Sequence, residues 1–375
     1  MKTMKSSGPF LLLLLLLSLS STASVLGSVV QRDYSYISNH YTWQDAQSYC
    51  RNSTSYTDLA TIFMQSDADS INVGPYHAWI SLHKLNNTFW IWSNKYGMNV
   101  NFGQNQYRWG VNEPCNENCA IVYYPNQKFY ARSCDGYYFF FCIEYTSFTT
   151  YKYTFIPQSK SWSDAQQYCQ SKRYRDLATF IYNTDLYSTV HEQDFPVWTG
   201  LHKEGGTWRW STGLSQYRNW AQSEPGNGDC VSISSTSKQM ATQNCSARFP
   251  FVCFADNLVL VKENKTWEEA LEHCRALSST SQPNVRYELV SVQPGEDQDY
   301  VMNRVMEADT DEVWAGLRFL AGEWLWVNGA SMLYSDLPLC PTVVQHCGAL
   351  SKNNTGSVET KDCSEKRNFL CYSTY

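Results

Sequence analysis

The 375 residues carry 29 Lys+Arg against 35 Asp+Glu, a formal charge of −6 that offers no basic footprint for nucleic acid or an anionic membrane. With 17% charged and 15% aromatic residues, the chain has the apolar material for a packed fold and not the composition of a disordered one. At about 100–200 residues per domain the length accommodates two or three domains, and 14 cysteines point to disulfides in an oxidising compartment.

At the N-terminus, Lys2 and Lys5 precede the apolar run Phe10 to Leu17, which gives way to small residues from Ser18 to Gly27. That order predicts a secretory signal peptide over residues 1–27, cleaved near Ala23 or Gly27. The run is well short of the roughly 20 apolar residues that span a bilayer, and no later stretch reaches that length. The expectation is a secreted, extracellular protein without membrane insertion. Sequons at Asn52, Asn86, Asn264 and Asn353 are candidate glycosylation sites on that route.

Next in the chain, Trp43-Gln44-Asp45-Ala46-Gln47-Ser48-Tyr49-Cys50 predicts a helix, because Trp, Ala and Cys at offsets of three and four share one stripe. The segment returns at Trp162–Cys169 and at Trp267–Cys274. Each copy is followed by a short apolar strand, at Trp79–Leu82, Trp198–Leu201 and Trp314–Leu317. Then comes a period-two alternation that sets two tryptophans on one strand face: Trp90 and Trp92, Trp208 and Trp210, Trp324 and Trp326. The chain is thus three autonomous repeats, assigned to residues 34–143, 149–254 and 257–372.

Cysteines close each repeat alike. The sets are Cys50, Cys119, Cys134 and Cys142; Cys169, Cys230, Cys245 and Cys253; Cys274, Cys347, Cys363 and Cys371. Four cysteines admit three pairings per repeat, and spacing alone does not choose among them. Cys115 and Cys340 are left over. They are open to a bridge between repeats one and three, to linkage of two chains, or to remaining as free or capped thiols. A zinc site at Cys115-x-x-x-Cys119 lacks partners at finger spacing.

The helix with Trp-x-x-Ala-x-x-x-Cys, the Trp-x-Gly-Leu strand, the Trp-x-Trp strand and the closing cysteines together resemble the C-type lectin-like domain, in three tandem copies. The tandem style resembles macrophage mannose receptor-like and phospholipase A2 receptor-like members. The resemblance implies an α+β fold with two helices, small antiparallel sheets and a long loop region that holds the ligand site. It also implies the pairs Cys50–Cys142, Cys119–Cys134, Cys169–Cys253, Cys230–Cys245, Cys274–Cys371 and Cys347–Cys363.

In sugar-binding members, the resemblance points to calcium held by a Glu-Pro-Asn or Gln-Pro-Asp loop, an acidic residue before the third cysteine and an Asn-Asp pair before the fourth. Calcium takes about 6–8 oxygen ligands. Repeat one offers Glu113 and Glu117 but has Cys115 at the amide position and Phe129-Tyr130-Ala131 at the later one. Repeat two offers Glu224, Asn227 and Asp229, followed by Met240-Ala241-Thr242. Repeat three has Leu337-Pro338-Leu339 and Val358-Glu359-Thr360. These are residual calcium candidates in an incomplete set, so no cofactor is expected. Glu113 and Glu224 read mainly as loop carboxylates bonding local backbone. Trp109 and Trp220 are candidate sugar-stacking residues, though such tryptophans more often belong to the core.

His83 and His202 occupy equivalent places and read as framework. No phosphate loop, paired-histidine metal motif or nucleophile elbow appears, and the chain is read as non-enzymatic. The expected function is recognition of an extracellular glycan or protein without calcium, by loops on a disulfide-stapled frame. The alternatives are a calcium-dependent lectin acting through repeat one or two, and a structural protein, disulfide-linked as a dimer through Cys115 or Cys340.

Overall fold

In the computed structural model, residues 30–93, 108–146, 151–180, 183–212, 215–277, 285–330 and 332–374 are described. The signal-peptide assignment at 1–27 lies outside them. The three motif helices form as expected over Trp43–Asn52, Trp162–Ser171 and Trp267–Ala276. Thr42, Ser161 and Thr266 start them, each side chain accepting a hydrogen bond from the amide three residues on. This satisfies a donor that the first turn leaves unpaired. The buried stripe is Trp, Ala and Cys in all three. Each repeat adds a second helix: Gln65–Ser70, Asn183–Thr189 and Glu296–Met306.

The described strands make three sheets of seven strands each, mixed with these helices in an α+β arrangement. Two of the sheets are not built from single repeats. The first strand, Arg32–Tyr41, pairs antiparallel with Phe249–Asp256, the last strand of repeat two. In return, Tyr151–Lys160 pairs with Tyr138–Tyr145, the last strand of repeat one. The short strands Asp58–Leu59 and Asp176–Leu177 cross in the same way. In repeat three the equivalent strand, Leu258–Lys265, pairs with its own last strand, Arg367–Thr374.

Side chains repeat the exchange. Trp43 Nε1 donates to Thr199 O at 2.8 Å, and Trp162 Nε1 donates to Ile80 O at 2.9 Å. Trp267 Nε1 makes the same bond to Ala315 O within repeat three. Fully buried Trp79 and Trp198 reach Lys160 O and Tyr41 O, whereas Trp314 reaches Lys265 O in its own repeat. Gly200 shows why close approach matters. Its amide donates to Ala60 O at 2.7 Å, and an added Cβ would lie 2.7 Å from Leu59 O, on the segment that came from repeat one.

The exchange corrects two of the disulfides expected from the resemblance. Cys50 bonds Cys253 rather than Cys142, and Cys142 bonds Cys169, so Cys169 is not paired with Cys253. Cys119–Cys134, Cys230–Cys245, Cys274–Cys371 and Cys347–Cys363 pair as expected. The physical reason is the length of the connections. Tyr145 and Tyr151 sit opposite each other across a five-residue connection, 146–150, so the two strands close as a local hairpin. Such a connection costs little loop-closure entropy. The helix and Cys169 follow that strand into the lobe of repeat one. The first strand of the chain then finds the equivalent last strand of repeat two unpartnered. Only Asn257 separates Asp256 from Leu258, too little for even a two-residue hairpin, and the third repeat closes on itself.

Arg32–Asp256 accordingly form one compact unit of two exchanged lobes, and the third repeat, from Asn257, belongs to a second. No helix among the described residues is long and apolar enough to cross a membrane.

Candidate functional site

The loop between the Trp-x-Trp strand and the inner cysteine pair places the sequence-derived candidates. In repeat one, Glu113 precedes a cis proline, Pro114, and turns inward. Its Oε2 accepts from the amides of Cys115 (2.9 Å) and Ala131 (3.0 Å), and its Oε1 pairs with the Arg132 guanidinium at 3.3 Å. Partial burial opposes the charge, but these donors outweigh it and hold the carboxyl below the usual glutamate range. Arg132 was not singled out in the sequence. The available signal is that the position two residues before the third cysteine of the set is basic in repeats one and three, as Arg132 and Lys361.

Repeat two builds the same bracket without the cation. Glu224 precedes cis Pro225, and its Oε2 accepts from the amides of Gly226 (2.7 Å) and Thr242 (3.0 Å) and from Thr242 Oγ1 (2.6 Å). Burial again works against ionisation and the hydrogen bonds again prevail, lowering its pKa. Asn227, Glu117 and Cys115 are exposed on these loops; Cys115 lies against Glu113, its amide donating to that carboxylate, but these residues form no group able to hold a metal ion.

These residues do not fit a calcium ion. Glu113 already faces a guanidinium, Ala131 brings no side-chain oxygen, and Gly226 replaces an amide ligand. Among the described residues no group of three or more His, Cys, Asp or Glu could hold a metal.

Trp109 and Trp220 bind the loops to the frame. Trp109 bridges to Phe129 and packs edge-on to Trp90 at 4.7 Å; Trp220 bridges to Met240 and packs edge-on to Trp208 at 5.3 Å. Both are half-buried in matching aromatic pairs. His83 and His202 pack against the motif tryptophans Trp162 and Trp43, 4.7 and 4.6 Å between ring centroids, as framework across the exchange. In repeat three the loop instead exposes Leu333, Leu339, Val343 and Val344, and Trp324 Nε1 donates to Pro338 O. Cys115 and Cys340 are exposed and in no disulfide, and the sequon residues Asn52, Asn86, Asn264 and Asn353 are exposed.

The family model described as the lectin C-type domain matches residues 39–144, 158–255 and 263–373. The chain belongs to the C-type lectin domain family. Lithostathine-1 of Mus musculus is 33% identical over 121 residues, 28% of this chain and 73% of that protein. The secretory phospholipase A2 receptor of Oryctolagus cuniculus is 23% identical over 261 residues, 57% of this chain but 17% of the receptor. Among solved structures, the C-type lectin CEL-I from Cucumaria echinata is matched at 24% identity over 32% of this chain and 89% of that one, with a TM-score of 0.28. The C-type lectin domain matches follow repeat order along the sequence; the lobes, as built, each draw on two repeats.

Proposed function

We propose that the protein is a secreted, non-enzymatic recognition protein that binds an extracellular glycan or protein without calcium. The observation carrying this reading is the engagement of both loop glutamates. Glu113 is taken up by two backbone amides and Arg132, and Glu224 by two amides and a threonine hydroxyl. A carboxylate that braces its own loop is not presenting oxygens to a metal or to sugar hydroxyls. The framework role of Trp109 and Trp220 points the same way, leaving contact surface to loop residues on a rigid, disulfide-pinned support. The related secretory phospholipase A2 receptor is itself a receptor.

The test is calcium titration by calorimetry, followed by glycan and protein arrays with and without chelator. Ligand binding unchanged by chelator is expected. Chelator-sensitive glycan binding with a calorimetric calcium signal would overturn the reading in favour of a calcium-dependent lectin. The exposed thiols of Cys115 and Cys340, in no disulfide within the chain, favour a second reading, a disulfide-linked assembly. A reducible dimer on electrophoresis that disappears in Cys115→Ser or Cys340→Ser supports it, and a monomer under non-reducing conditions removes it.

A further inference from the structure

The exchange of strands creates two seams between the lobes of residues 32–256, and each seam holds a cavity. One, of about 410 Å³, is walled from one lobe by the strand end at Ser38–Tyr41 and by Arg248, and from the other by His77, Arg132 and the turn Gly136–Tyr138. The second, of about 450 Å³, is its counterpart under the local two-fold. Pro157, Gln158, Pro196, Gln243 and Phe249 stand where the first has Ser38, Asn39, His77, Arg132 and Tyr138. The two cavities share a frame and differ in charge. The second replaces the histidine and the arginine by proline and glutamine and adds Asp194. The cationic lining of the first is therefore a local feature and not a by-product of the repeat.

Its geometry suits an oxyanion on a sugar. Arg132 and Arg248 enter from opposite lobes. Arg248 stacks over Tyr137 at 4.4 Å and has Asp45 as a distant ion-pair partner at 4.0 Å, on a side chain more than half exposed. Arg132 keeps Glu113 at 3.3 Å. Planar guanidinium forks match sulfate and carboxylate oxygens, and the rings of Tyr137 and Tyr138 provide apolar faces beside polar tips. We propose that this seam cavity binds an anionic saccharide, its sulfate or carboxylate held between Arg132 and Arg248. The inference rests on the recognition reading but places a ligand away from the Glu-Pro loops.

The experiment titrates the full chain, in chelator, with N-acetylgalactosamine 4-sulfate, with glucuronic acid and with galactose as the neutral control. Salt-sensitive binding of one or both acidic sugars, without binding of galactose, is expected, and the two acidic arms separate sulfate from carboxylate chemistry. Arg248→Gln should weaken binding about tenfold, Arg248→Lys less, and Gln158→Ala in the counterpart cavity not at all. A non-reducing peptide map confirms that each variant keeps its disulfides. Equal binding to wild type and Arg248→Gln, or no binding of either acidic sugar, overturns the proposal. If the arrays still report other ligands in that case, the recognition reading survives its failure; if they report none, both fall.

Discussion

His40 Nδ1 and Ser159 Oγ are hydrogen-bond partners, and the two residues hold the same position in consecutive repeats, each three before its motif tryptophan. Tyr76 and Phe195, each three before the strand tryptophan, also meet, with ring centroids 6.1 Å apart. Equivalent residues touch one another only on a two-fold axis. Repeats one and two are thus organised as an exchanged dimer is, within one chain and with each lobe closed by the neighbour's strand, helix and cysteine.

The disulfides test this directly. A non-reducing digest should yield a peptide containing Cys50 linked to one containing Cys253, and Cys142 linked to Cys169. On the chain-entropy account, the 27-residue crosslink contributes about 3–4 kcal/mol and the 203-residue one about 5 kcal/mol. Mass spectrometry finding Cys50 with Cys142 would sink the exchange.

A core substitution probes the same point through packing. Trp162 lies in the helix of repeat two, but its indole is buried against the strand of repeat one and bonds Ile80 O. Trp162→Ala should cost about 3–5 kcal/mol. Amide exchange should quicken in the strand His77–Leu85 and remain nearly unchanged in Pro196–Glu204. The opposite pattern would mean that each repeat closes on itself.

Much of this fold was legible in the sequence, because local patterns carry it. The helix stripe from Trp43 to Cys50 and the Trp90 and Trp92 alternation are short-range signals, and the corresponding helix and strand form as read; the inner bridges agree with what the family resemblance implies, the cysteine spacing alone leaving three pairings open in each repeat. The exchange was not legible from them. Tyr138–Tyr145 offers equivalent edges to Arg32–Tyr41 and to Tyr151–Lys160, and the choice turns on the five residues of 146–150, against the single residue Asn257 at the next junction. The loop glutamates were legible as local acceptors because Glu113 and Glu224 each precede a proline. The cavity of His77, Arg132 and Arg248 was not, since its walls come from different repeats and no motif spans them.

Acid should loosen the exchanged unit through its histidines. Burial pushes the His40 imidazole from 6.5 down to about 3, with His77 adding to the shift. Burial and then Arg132 push His77 down to about 4. Ser159, Tyr138, Phe139 and His77 are the groups packed against His40. Between about 6.5 and those folded values the unfolded chain holds protons that the folded chain refuses. Stability from this source is complete above about 6.5 and falls as pH drops toward 3. Asp58 and Asp176, raised by burial, act in the opposite sense but equally in wild type and variant. The urea midpoint should therefore fall less between pH 7 and 4.5 in His40→Gln than in wild type, as checked by paired denaturation curves. The same fall in both proteins would remove His40 as the cause.

Cys115 reports on the loop carboxylate. The negative charge of Glu113 is the largest influence on its thiol, and with slight desolvation and a hydrogen bond to that carboxylate it raises the thiol pKa above 9.0. Only the thiolate attacks an alkylating agent, so Cys115 should react slowly at mildly alkaline pH despite its exposure. Exposed Cys340 serves as the internal reference on the same chain. Glu113→Gln removes the charge while leaving an oxygen for the Ala131 and Cys115 amides, so the loop keeps its brace. The ratio of Cys115 to Cys340 alkylation rates, followed by peptide mass spectrometry, should rise in the variant. An unchanged ratio would show that the carboxylate does not govern the thiol, and with it that Glu113 is not held against its own loop.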